Sequence, residues 1–227
     1  MSVDRQGLIR VVGDLPFQEE YLPLLEDIRD LLSPAAFPLV HSVYVYGSVA
    51  TGLAVPGRSD LDLSLILRGP PSERDSCCIE GVRRKIEAAH PVVSKVDFDI
   101  GLLDEVSSAD ARMAWRYWLK HHCRCIVGKN LAEGVPPFRP SRTLALAVNE
   151  DFEHVLGKYL NALAAAQSGA VADRLMREAS RKLIRSTNVL RNEADPDWPE
   201  TLEEHVARFQ RLFPAHGGEL QYFFEQA

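Results

Sequence analysis

The spacing of apolar and polar positions changes several times along the chain, and each change marks an element. Between Pro16 and Leu32 the apolar residues Tyr21, Leu24, Leu25, Ile28, Leu31 and Leu32 follow helical spacing. Ser33-Pro34 and Pro38 close that helix. Val43 to Tyr46 is a short β-branched and aromatic run, the pattern of a buried strand. From Asp60 the chain alternates, with Asp60, Asp62 and Ser64 on one face and Leu61, Leu63 and Leu65 on the other. After the turn Arg68-Gly69-Pro70-Pro71, Ser72 or Asp75 caps a helix with a stripe of Ile79, Val82, Ile86 and Ala89, ending at His90-Pro91. Alternation returns in a third strand, where Val96, Phe98, Ile100 and Leu102 oppose Asp97, Asp99 and Gly101. A further helix is expected near Ala109 to His122, followed by a candidate strand at Cys125 to Gly128. Ahead of Asp14, Leu8 to Val12 reads as a short strand or a loose lead-in.

The pattern turns wholly helical after Lys129, beyond a Pro-rich link from Gly134 to Pro140. One stripe comprises Phe152, Val155, Leu156, Tyr159, Leu160 and Leu163, and a second Leu175, Ala179, Leu183 and Leu190. A third, Leu202, Val206, Phe209 and Phe213, follows the breakers Pro196 and Pro199, and an aromatic tail, Tyr222-Phe223-Phe224, is expected to dock on the bundle. These elements predict an α+β protein of two domains. Residues 1–133 carry the strands with their accompanying helices, and 134–227 form a helical bundle.

Composition narrows the class. With 227 residues and 46% apolar content the chain has enough to build real cores. A net charge of -6 argues mildly against a nucleic-acid partner and is compatible with a cationic substrate. Four cysteines, as Cys77-Cys78 and Cys123-x-Cys125, do not make a disulfide framework at this size. No run is apolar enough to span a bilayer, and the opening MSVDRQGLIR does not read as a signal peptide, so a cytoplasmic protein without a membrane partner is expected.

The chemistry lies between Val43 and Leu67. Alternation sets Asp60 and Asp62 side by side on one strand face. Adjacent carboxylates repel unless a cation lies between them, and a hard ion such as Mg²⁺ takes oxygen ligands and brings phosphate oxygens with it. Upstream, Gly47 permits close approach of backbone N–H groups to an anion, and Ser48 adds a hydroxyl. A phosphate cradle beside metal-binding carboxylates is a phosphoryl-transfer constellation. A hairpin with Asp residues capping its turn would also use these residue types, but turn chemistry does not require both carboxylates on one strand face.

Gly-Ser, eleven residues, then Asp-x-Asp and an apolar run resembles the DNA polymerase β-like nucleotidyltransferase superfamily, and within it the bacterial streptomycin/spectinomycin adenylyltransferases. The resemblance extends from about Pro16 to Val127 and is architectural beyond it. It implies a small mixed β-sheet in residues 1–133 with helices on one greasy face, and a transferase that moves AMP from ATP to a hydroxyl of an aminoglycoside-like small molecule and releases pyrophosphate, with two Mg²⁺ ions. Asp60 and Asp62 would be catalytic metal ligands. The family's third acid, a ligand or a base, falls on Asp97, where members often carry Glu; Asp99 shares its face and is the alternative. Gly47, Ser48, Ser59 and Arg181 would bind the nucleotide. Rival readings keep the chemistry on a protein or tRNA acceptor, as in toxin–antitoxin members, or leave a silent nucleotide-binding domain.

Other clusters carry blander readings. Arg174, Arg177, Arg181 and Arg185 recur at helical spacing opposite the Leu175/Ala179/Leu183 stripe and read as a solvated face, or as a face from which one or two arginines reach a triphosphate. His121-His122-Cys123-x-Cys125 has zinc-ligand types without finger spacing and reads as a helix end with buried cysteines. Trp115 and Trp118 share a helix side and read as core or as one wall of a pocket. Glu150, Asp151 and Glu153 read as a wet face or as partners for a cationic acceptor. Neither a Ser-His-Asp order nor a Walker-type loop is present.

Overall fold

Four strands pair into one sheet in the computed structural model, which describes residues 2–13, 15–108 and 112–227. They are β1 (Val40–Tyr46), β2 (Leu61–Leu67), β3 (Val96–Leu102) and β4 (Arg124–Gly128), in the order β3-β2-β1-β4. β1 runs antiparallel to β2 and β4, whereas β2 and β3 are parallel. Parallel neighbours need a crossover, and helix α3 (Glu73–Ala89) supplies it. The register sets Asp62 beside Asp97, and Ser64 beside Asp99.

One sheet face is apolar because the leucines of β2 alternate onto it. Val43, Val45, Leu61, Leu63, Leu65 and Val96 pack there against α1 (Leu22–Leu31) and α3, through Leu24, Leu25, Ile28, Ile79 and Ile86. Both candidate caps of α3 are used together: Ser72 accepts from the Asp75 N–H, and the Asp75 carboxylate accepts from the Ser72 N–H. The expected α+β class is what the chain forms, but helices are not confined to one face. On the acid-bearing face α5 (Arg112–His121) covers the end away from the acids, packing Leu119, Trp115 and Trp118 with Tyr44 and Ile66. Two features explain this. Tyr44 and Ile66 are apolar positions on the otherwise polar face, and Gly101 leaves space that Trp115 fills. A Cβ at Gly101 would lie 2.6 Å from Trp115 Cη2. The first residues expected in α5, 109–111, lie outside the described residues; α4 (Leu103–Ser107) precedes them.

The chain divides into two compact units, Arg10–Pro137 with the sheet, and Phe138–Ala227 together with Met1–Ile9. The boundary falls within the Pro-rich link, and the first nine residues associate with the helices because Ile9 is buried and its N–H donates to the Phe138 carbonyl at 2.8 Å. No strand forms at Leu8 to Val12; an isolated bridge joins Val3 and Ile9 instead, around a turn held by Asp4. Asp14 lies outside the described residues. The helical unit contains α2's successors in chain order after α5: α6 (Arg142–Val148), α7 (Phe152–Ala164), α8 (Gly169–Ser186), α9 (Leu202–Leu212) and α10 (Gly217–Gln226), α2 being Gly47–Thr51 of the sheet unit. Ile184, Val206 and Leu220 form its core, with Phe209, Phe223 and Phe224 packed on them. The aromatic tail thus docks through α10.

Candidate active site

β1 delivers the chain to the site and glycine turns it. Gly47 follows Tyr46 with φ +70°, in the left-handed region that favours glycine, and opens α2. A Cβ at Gly47 would collide with Oδ2 of Asp62, so its absence lets that carboxylate sit against the backbone. Asp62 is half-buried, and its pKa is pushed up to about 6, first by burial and then by Asp97 and Asp60, with Lys95 opposing. Burial, then Asp62 and Asp99, likewise raise the Tyr46 hydroxyl. The carboxylates therefore sense one another across adjacent strands, which in a sheet lie about 4.8 Å apart.

The two outer acids are engaged by neighbours. Ser94 Oγ donates to Asp60 Oδ1. Lys95 Nζ lies 2.6 Å from Asp97 Oδ1 and 2.7 Å from Oδ2. Among the described residues no three His, Cys, Asp or Glu side chains are gathered to hold a metal ion. The donor chemistry nonetheless fits Mg²⁺: three carboxylates share one face, and the innermost is penalised for carrying its charge without a cation. Asp60, Asp62 and Asp97 are the residues that would hold it, once Asp60 and Asp97 release their present partners. α3 fixes the start of the third strand, since the Val96 N–H donates to Glu87 Oε1 at 2.9 Å and Glu87 is held by Arg83 at 2.5 Å.

Asp99 lies one pleat further along β3, beside the part of the face that α5 covers. It keeps an exposed side, yet burial raises its pKa. Its register partner Ser64 accepts from Trp118 Nε1 at 3.2 Å. Trp118 meets Tyr46 edge-on at 4.9 Å and stacks on His122 at 5.1 Å. Trp118 thus borders the acid face while Trp115 fills the core.

Other sequence candidates make contacts of their own. Ser59 Oγ accepts from the Val55 N–H at 2.9 Å and braces its own loop. Arg181 belongs to the helical unit, where Nε donates to the Ala227 carbonyl at 2.8 Å, and Arg174, Arg177 and Arg185 are exposed beside it on α8. Asp151 pairs with Lys182 at 2.6 Å. His121 bonds the Arg10 carbonyl, His122 the Tyr117 hydroxyl, and Cys123 is buried, consistent with a helix end. Sequence reasoning did not single out Ser94, Lys95 or Glu87. Lys95 could have been found, because it stands two residues before Asp97 and shares its face. Ser94 and Glu87 reach the site through a loop and a crossover, which periodicity does not register.

Residues 24–122 match the family model described as the nucleotidyltransferase domain. The matched segment takes in most of α1, the whole acid-bearing part of the sheet and α5. In fold the chain is similar to the spectinomycin adenyltransferase AAD(9) from Enterococcus faecialis, solved with ATP and spectinomycin. The TM-score is 0.53 at 13% identity over 88% of this chain and 87% of that one. A toxin–antitoxin structure with AMP-PNP aligns at 13% identity over 66% of this chain and 100% of that one, with a TM-score of 0.33. No curated protein matches the sequence.

Proposed function

We propose that this protein transfers AMP from ATP to a hydroxyl of a small, cationic, aminoglycoside-like acceptor and releases pyrophosphate. The observation that carries the reading is the register that sets Asp62 of β2 beside Asp97 of β3, with Asp60 immediately before β2 and Gly47 bare against Asp62. Asp60 and Asp62 would hold Mg²⁺, and Asp97 would complete the ligand set or take the acceptor's proton. The bound ion supplies positive charge that offsets the phosphate oxygens and favours the ionised acceptor. The acceptor oxygen then bonds to the α-phosphorus as the bond to the bridging β-phosphate oxygen breaks. Gly47 and Ser48 line the phosphate side of this face.

The acidic balance of -6 supports a cationic acceptor over RNA. Among the described residues no helix is long and apolar enough to cross a membrane, and all four cysteines are free, as suits a reducing cytoplasm. The test is transfer of label from α-³²P-ATP, with Mg²⁺, to an aminoglycoside panel, total tRNA and cell protein in parallel. Label appearing on an aminoglycoside, and lost with Asp60→Asn, is the expected result. Label on tRNA or protein alone would move the acceptor to a macromolecule, and no label anywhere would reject transfer.

A further inference from the structure

Two of the three carboxylates face cations or donors from a single dipeptide, Ser94-Lys95, and that dipeptide is pinned where it stands. The Ser94 N–H donates to the Ser59 carbonyl at 3.0 Å, and the Leu61 N–H donates to the Lys95 carbonyl at 2.8 Å. These bonds tie the lysine's backbone to the segment that carries Asp60. Strand alternation then directs its side chain to the face of Asp97, where the ammonium spans both carboxylate oxygens at 2.6 and 2.7 Å. Both oxygens that a divalent ion would use are therefore engaged, and one of three negative charges is balanced from within. The Lys95 and Asp97 side chains are 56% and 41% exposed, so the pair is easily broken.

We propose that Lys95 is a built-in counter-ion: it closes Asp97 in the nucleotide-free protein and yields that carboxylate to the divalent ion. The proposal rests on the metal-binding reading of Asp60, Asp62 and Asp97. Its energetic logic is competition. A monovalent ammonium on an exposed pair contributes at most about 1 kcal/mol, equivalent to about fivefold in a dissociation constant. A divalent ion bound by three carboxylates exceeds that, while the lysine keeps the acids from repelling one another beforehand.

The experiment is Mn²⁺ titration of nucleotide-free protein, read by the loss of the free-ion electron paramagnetic resonance signal. It compares wild type, Lys95→Met, Lys95→Arg, Asp97→Asn and the Lys95→Met/Asp97→Asn double variant, with thermal melts to verify folding. Lys95→Met should bind Mn²⁺ up to about fivefold more tightly, and Lys95→Arg should stay near wild type because it retains the paired charge. In the Asp97→Asn background the Lys95→Met gain should fall below about twofold, as a double-mutant cycle requires of a direct pair. Unchanged or weaker binding in Lys95→Met overturns the proposal. So does a gain that survives Asp97→Asn, which would mark a general charge effect. Failure of the lysine's role with wild-type Mn²⁺ binding intact leaves the metal site standing; absence of Mn²⁺ binding in wild type and Lys95→Met alike refutes both.

Discussion

Asp62 should destabilise the very fold that holds it. Its pKa rises from 3.8 to about 6 on folding because burial, Asp97 and Asp60 all disfavour its charge. At about 1.4 kcal/mol for each tenfold change in proton affinity, that rise sets a ceiling of about 3 kcal/mol. The carboxyl is only half-buried, and solvent screening cuts the figure to about 1 kcal/mol. The sign follows from linkage: the folded state binds the proton more tightly, so the cost is fully present above pH 6, shrinks as pH falls through that value, and vanishes below about pH 4. Asp62→Asn keeps the shape and removes the charge. At pH 7.5 without divalent ions it should therefore be more stable than wild type by about 1 kcal/mol, or roughly 3 °C in Tm, while losing transfer activity. Urea unfolding of both proteins at pH 7.5 and pH 4.5 reads the effect of this carboxyl together with its coupling to Asp60 and Asp97. An Asn variant no more stable than wild type at pH 7.5, or an advantage undiminished at pH 4.5, would refute the reasoning.

Other expectations are equally direct. Gly47→Ala should cost about 1–2 kcal/mol from the positive φ alone, and more turnover than stability, because its Cβ displaces Asp62; denaturation and Mn²⁺ affinity measured together will show whether Asp62 moved. Gly101→Ala should overpack Trp115 and Ile66, lowering stability by about 1–3 kcal/mol in urea unfolding. Asp97→Asn should cost orders of magnitude in kcat, whereas Asp99→Asn should act chiefly on the acceptor's KM; a dead Asp99 variant beside an active Asp97 variant reverses the assignment. If Asp97 is the base, its variant also loses the acidic limb of the pH–rate profile.

The strands were legible because their apolar residues alternate cleanly: Leu61, Leu63 and Leu65 announced both a core face and, by exclusion, an acid face. The same alternation put Asp97 and Asp99 on the correct side of β3. What it could not announce was pairing across chain distance. That Ser64 meets Trp118, or that Ile9 bonds Phe138, depends on contacts between segments whose local patterns are silent about each other. Charge also hides from periodicity. Arg191 is fully buried beneath the Pro196–Pro199 stretch, donating to the carbonyls of Asp195 and Asp197, where the sequence showed only helix breakers. Nothing in the spacing sets Lys95 apart from other lysines; its pairing with Asp97 does.

The parallel pairing of β2 with β3 has a consequence for how the gene can change length. Asp62 lies on an inner strand with Asp60 just before it, and Asp97 on the rim strand joined to it by a helical crossover. Residues gained or lost in the turn between Leu67 and Ser72 alter the crossover's slack but leave the pairing of β3 untouched. A single residue gained or lost between Ser94 and Asp97 does something else. Side chains alternate with a period of two, so one step turns Asp97 into the core among Leu63 and Leu65 and brings Val96 out among the carboxylates. The chemistry of this face is guarded by odd and even rather than by distance along the chain, and neighbouring stretches of one polypeptide differ sharply in the insertions and deletions they can survive.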